Sequence, residues 1–240
     1  FAAFIPTRHV QRKEEAQTSH THSFSLKVSK VILVSGNDTG IGKTSASAFL
    51  ASKLSKVGEC VYVKPVETGA THPQDAKLVS AAASRADVFT LRTFRQPLAP
   101  VESAEHEGQE INFLDLVEQT RSCLKGGSYM LVEGAGGLAT PIDRDGRDWL
   151  DFAEALQADF LVLVVENRLG LLNQIRLLSA RLKDSSITYG FWLNQIFPQD
   201  QVLLDANLRA IERDSFTIWA KQDDGKQSPS MTNFPWEIPE

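Results

Sequence analysis

The sequence predicts an α/β fold, a single-domain parallel sheet with helices on both faces. Two observations carry that prediction. Apolar, β-branched runs alternate with segments of helical periodicity from Val31 to Arg213, which implies parallel strands joined by right-handed crossovers. The turns that follow the runs are rich in glycine, as expected at the carboxyl ends of parallel strands, where such sheets bind ligands.

Taken in order, KVILVS (30–35) is a short buried strand that ends in Gly36. KTSASAFLASKLSKV (43–57) puts Ala46, Phe49, Leu50 and Leu54 on one helical face, and Gly58 stops the helix. CVYVKPV (60–66) is the second strand. QDAKLVSAAAS from Gln74 and NFLDLVEQTRSCL from Asn112 are helices, and SYMLVEG (128–134) is the third strand. DFLVLVV (159–165) is the most apolar strand and is expected at the centre of the sheet. The helix GLLNQIRLLSARL, the strand ITYGFWLN and a last helix, DQVLLDANLRAIER, complete the pattern. One domain therefore spans residues 29–240, although residues 213–240 lose periodicity and form an unassigned tail. Residues 1–28 are polar and aperiodic and read as an arm or expression remnant. The opening Phe1, in place of methionine, fits a truncated or processed end.

With 240 residues, 42% of them hydrophobic, the chain can bury one substantial core. A net charge of -5 argues against a nucleic-acid-binding surface. No apolar run is long enough to span a bilayer, and the first residues lack a signal-peptide core, so no membrane partner is expected. Cys60 and Cys123 make neither a disulfide framework nor a zinc pattern, and read as small core residues of a protein in a reducing cytoplasm. The five histidines are scattered, which supports neither zinc chemistry nor a Ser-His-Asp mechanism.

Four turns carry chemistry. GNDTGIGKT, between the first strand and first helix, is a P-loop of modified form: the usual spacing would put its first glycine at Asn37, yet the glycine is Gly36. Backbone N–H groups and the helix start can hold phosphate oxygens, Lys43 adds a full charge, and the Thr44 hydroxyl is placed for Mg²⁺. The fold is thus of the P-loop NTPase type. Lys64 ends an apolar strand and projects towards the phosphates, with Thr68-Gly69 adding a hydroxyl and an exposed amide. Glu67 reads as a surface charge without a role. Asp75 opens a helix, where an acid is common. Glu133 ends the strand expected beside the P-loop strand, the position of a Walker-B carboxylate, and precedes a glycine turn.

Together GNDTGIGKT, KPVETGA, QDA, VEGAGGLATPI, NRLGLLNQ and WLNQI occur in the order and approximate spacing of dethiobiotin synthetases. FRQPLAPVESAE, from Phe94, also resembles that family, and the resemblance runs from about Val31 to Ile196. The family's loop, Gly-Thr-Asp-Thr-x-x-Gly-Lys-Thr, has the same early glycine, with threonine common where Asn37 stands here.

The resemblance implies an ATP-dependent ligase that closes the ureido ring of 7,8-diaminononanoate with CO2, through a carbamate and a carbamic-phosphoric anhydride. Asn37, Asp38, Thr39, Gly40, Ile41 and Gly42, with Lys43 and Thr44, would form the nucleotide loop, and Asn194 would read the base. Lys64 would bridge carbamate and γ-phosphate, Thr39 and Thr68 would bond phosphate and carbamate oxygens, and Thr44, Asp75 and Glu133 would surround Mg²⁺. Glu133 and the turn Gly134-Ala135-Gly136-Gly137 would border the substrate. In the family the acid tail of the diamine reaches a helix start across a homodimer, which here corresponds to Gly170, Leu171, Leu172 and Asn173. Two departures stand out: Gly40 replaces a common acid, and no adenine-bordering turn is legible after Arg213. The alternative is a nucleotide-switch ATPase of the deviant P-loop class. Its signature lysine is missing, because Ser35, Gly36 and Asn37 fill that region.

Overall fold

The computed structural model describes residues 30–124, 129–223 and 228–235; the arm expected over residues 1–28 lies outside them. In chain order the elements are β1 (Lys30–Gly36), α1 (Lys43–Val57), β2 (Cys60–Thr68), α2 (Asp75–Ala82), β3 (Asp87–Phe94), α3 (Pro100–His106), α4 (Phe113–Ser122), β4 (Tyr129–Glu133), α5 (Trp149–Leu156), β5 (Phe160–Glu166), α6 (Leu171–Arg181), β6 (Thr188–Asn194), α7 (Gln201–Arg213), β7 (Ile218–Gln222) and β8 (Ser230–Met231). One sheet holds all the strands in the order β3-β2-β4-β1-β5-β6-β7-β8. β1 to β7 are parallel, and only β8 runs antiparallel, against β7.

Apolar runs at the middle of the sheet feed two cores at once, because successive side chains point to opposite faces. Val31 and Leu33 of β1, with Leu161, Leu163 and Val165 of β5, pack against α4, α5 and α6. Ile32 and Val34, with Val162 and Val164, pack against α1 and α2. β1 and β5 are the two central strands, as the apolar character of DFLVLVV predicts. Helix starts follow local chemistry. Asn112 accepts the Asp115 N–H at the start of α4, and Asp148 and Asp151 close a capping box on α5.

Three features differ from the sequence reading. β3 is a strand that its polar side chains conceal: it lies at the sheet edge, and of its residues only Phe94 is buried. α5 spans only eight residues, too few for a helical period to declare itself. The tail after Arg213 is not aperiodic coil throughout, since β7 extends the sheet and β8 covers its edge. Trp219 of β7 explains why β6 carries a glycine: a Cβ on Gly190 would lie 2.3 Å from the indole.

Candidate active site

β1, β2 and β4 are neighbours, so their carboxyl ends bring the P-loop, Lys64 and Glu133 together. Val34 is in register with Glu133, two residues before the loop leaves β1 at Gly36. Gly36 lies early in the loop because β5 passes directly behind it: a Cβ there would sit 2.2 Å from the Val164 carbonyl oxygen. The left-handed turn that aims the loop comes later, at Gly42 with φ 90°, whose missing side chain also makes room for Asn194. Asn37 needs neither property, so the absence of glycine there costs the loop nothing.

The main cleft has a volume of about 720 Å³. Of the residues singled out from sequence, it is lined by Thr39, Gly40, Gly42, Lys43, Thr44, Lys64, Thr68, Asp75, Glu133, Ala135 and Gly136. Asn37, Asp38 and Gly137 instead line a second cleft, of about 380 Å³, between the loop and α6. Ile41, Gly134 and Asn194 are buried beneath the loop. Asn194 donates its amide to the Ile41 carbonyl at 2.9 Å, and lines neither cleft. Gly170, Leu171, Leu172 and Asn173 line neither cleft; they form the start of α6, where Gly170 supplies no side-chain cap.

Glu133 is the hub. Its Oε1 accepts from Thr44 Oγ1 and from Lys64 Nζ, each at 2.8 Å, and its Oε2 accepts from the Tyr62 hydroxyl at 3.1 Å. Lys64 is also 2.7 Å from Asp75 Oδ2. Burial alone would lower the Lys64 ammonium, but Glu133 and Asp75 outweigh it and hold it above the ordinary lysine range. Lys43 lacks such carboxylate contact and donates to the Asp38 carbonyl at 2.5 Å. Burial, followed by repulsion from Lys64, brings its ammonium down to about 8. Burial and then the Glu133 charge push the Tyr62 phenol well above its usual range.

The glycine turn after Glu133 is tied to the P-loop strand by Leu138, whose N–H donates to the Gly36 carbonyl at 2.7 Å. Trp149 supports the turn from below, its indole N–H donating to the Ala135 carbonyl at 2.7 Å. On the opposite wall the Gly69 amide is not free, as expected from sequence, but donates to Gln96 at 3.0 Å. Its conformation is set by that closure of the loop onto the segment after β3. Sequence reading passed over Tyr62 and Trp149, and Glu67, expected as a surface charge, is buried. Tyr62 was within reach, because it lies two residues before Lys64 on one strand and so shares its face.

Among the described residues no group of three or more His, Cys, Asp or Glu side chains is arranged to hold a metal ion. The donors present are all hard oxygen: the Asp75 and Glu133 carboxylates, which meet on the Lys64 ammonium, and the Thr44 hydroxyl, which donates to Glu133. That set fits Mg²⁺, which is usually bound through one or two carboxylates and the phosphates of its nucleotide.

A family model described as an AAA domain matches residues 30–212. The ATP-dependent dethiobiotin synthetase BioD of Mycobacteroides abscessus is 38% identical over 161 residues, covering 65% of this chain and 69% of the relative. That of Anaeromyxobacter dehalogenans is 32% identical over 189 residues, covering 76% and 84%. The chain belongs to the dethiobiotin synthetase family. A third dethiobiotin synthetase, from Xanthomonas campestris pv. campestris, is 33% identical over 200 residues, covering 78% of this chain and 88% of its own. Among solved structures, a plasmid partition protein from Borrelia burgdorferi superposes with a TM-score of 0.59 at 11% identity, over 84% of this chain and 93% of that one. At that identity the likeness is one of fold alone, and it agrees with the mostly parallel sheet described above.

Proposed function

We infer that the protein is an ATP-dependent dethiobiotin synthetase, a ligase that forms C–N bonds to close the ureido ring of 7,8-diaminononanoate with CO2. Beyond family membership, the observation that carries this reading is the position of Lys64. A buried, protonated lysine from β2 stands beside the P-loop lysine in one cleft, which suits a reaction that must bring carbamate and phosphate anions together.

Lys43 and the loop amides hold the phosphates of ATP. Thr44, Asp75 and Glu133 hold Mg²⁺, which supplies neutralising charge to the phosphates. One substrate amine captures CO2 as a carbamate, and Lys64 and Thr68 hold its oxygens. A carbamate oxygen takes the γ-phosphoryl group and ADP leaves. The second amine then forms a C–N bond to the carbamate carbon as the C–O bond breaks and phosphate departs. No protein nucleophile takes part.

The substrate's carboxylate tail is assigned to the start of α6 in a partner subunit. Gly170 leaves that helix start without a side-chain cap, and the positive end of a helix suits a carboxylate. A homodimer with shared sites follows. The two free thiols, Cys60 and Cys123, suit a cytoplasmic setting. No helix among the described residues is long and apolar enough to cross a membrane.

Phosphate release measured with ATP, bicarbonate and the diamine, each omitted in turn, tests the reading. Turnover should require all three. Hydrolysis indifferent to the diamine and bicarbonate would replace the synthetase with a nucleotide-switch ATPase.

A further inference from the structure

Glu67 is the penultimate residue of β2, in its Lys-Pro-Val-Glu-Thr stretch, and is 5% exposed, so it is no surface charge. Its Oε1 accepts the backbone N–H groups of Gln74 at 2.8 Å and Asp75 at 3.3 Å. These groups open α2. A helix start leaves N–H groups without partners, and the N-cap side chain usually meets one of them. Gln74 stands at the N-cap here and makes no such bond. The capping acceptor arrives from the end of β2 instead. One strand thus carries Lys64 and, at its end, fixes where α2 begins. Asp75 is the first residue of that helix, and its carboxylate is the one 2.7 Å from Lys64 Nζ.

We propose that Glu67 is a positioning residue for Asp75, capping α2 from the end of β2 so that the Asp75 carboxylate meets Lys64, Glu133 and the Mg²⁺ of the nucleotide. The proposal rests on the functional reading above, in which Asp75 serves the metal. A plain helix cap would stabilise the fold and act independently of Asp75. A positioning residue acts through Asp75 and loses its effect when that carboxylate is gone.

Titration calorimetry with a non-hydrolysable ATP analogue, with and without Mg²⁺, separates the two. The proteins compared are the wild type, Glu67→Ala, Glu67→Asp, Glu67→Gln, Asp75→Asn and the double variant Glu67→Ala/Asp75→Asn, with thermal denaturation of each. Mg²⁺ should strengthen binding to the wild type, and Glu67→Ala should cut that gain about tenfold, as loss of a residue behind a metal ligand commonly does. Glu67→Gln keeps an acceptor oxygen and should retain most of the gain. Glu67→Asp draws the acceptor back by one methylene and should lose part of it, which preserves the test if the alanine variant folds poorly. In the Asp75→Asn background Glu67→Ala should change nothing further. A full Mg²⁺ gain in Glu67→Ala or Glu67→Asp, an equal loss in the Asp75→Asn background, or a wild type indifferent to Mg²⁺ would each overturn the proposal. Intact metal coupling in a protein that makes no dethiobiotin would overturn the functional reading alone.

Discussion

Lys43 and Lys64 bring the same charge to one cleft but are held by different partners, and their roles should separate. Lys43 donates only to a backbone carbonyl, so Lys43→Ala should weaken nucleotide binding and turnover together. Lys64 is bound to two carboxylates, and Lys64→Ala should spare binding of a fluorescent ATP analogue more than it spares product formation. Equal loss of binding in both variants would refute the division. The two also differ in pH response. The Lys43 ammonium sits at about 8 in the free site, and phosphates favour its charged form. Nucleotide binding above that pH must therefore take up a proton. Affinity should be flat below pH 8 and fall roughly tenfold per unit above it, with proton uptake visible as a buffer-dependent heat. Tyr62→Phe keeps the buried ring and removes only the bond to Glu133 Oε2. It should cost ~2 kcal/mol, the scale of a hydrogen bond to a charged group, or roughly 4–8 °C in Tm for a chain of this size. Unchanged stability would mean that Glu133 holds its place without the phenol. Lys43, Thr44, Asp75 and Glu133 were legible in the sequence because each ends a strand or opens a helix. Lys64 was legible as the one charge in the apolar run Cys60–Val66, although it lies in the middle of β2 and not, as expected, at its end. Glu67 was not, because its burial depends on the chain at Gln74 folding back over it, a tertiary contact that local pattern does not record.

At the scale of elements, the strands that carry the site could be read because they lie in the middle of the sheet. β1 and β5 are apolar on both faces, and that pattern survives any error in their boundaries. β3 and β7 lie towards the edges and pack fewer side chains, so their sequences keep polar residues that obscure the strand. The helix that most needs testing is α6. If its start receives a substrate carboxylate from the neighbouring subunit, Gly170→Asp should abolish activity by placing an anion there. Mixed in equal amounts with Lys43→Ala subunits, it should recover about a quarter of wild-type activity, because half of random pairs are hybrids with one intact site each. A monomer by sedimentation that keeps full synthetase activity would exclude the shared site.

Across the whole molecule, the tail proves part of the fold: Trp219 fills the space above Gly190, and β8 closes an edge that β7 would otherwise expose. The Trp149 contact has an optical consequence. Its indole is wholly buried and bonded to Ala135, while Ala135 and Gly136 form part of the cleft wall. Trp192 and Trp219 are also buried, but on the other face of the sheet. Among the described residues one intrinsic fluorophore is therefore coupled to one side of the cleft and two report the opposite core. Adding the diamine should shift or quench emission in the wild type and leave it unchanged in Trp149→Phe. Emission from Trp192 and Trp219 should respond only when the sheet itself unfolds. A diamine-induced change that persists in full in Trp149→Phe would show that the signal does not arise at the glycine turn.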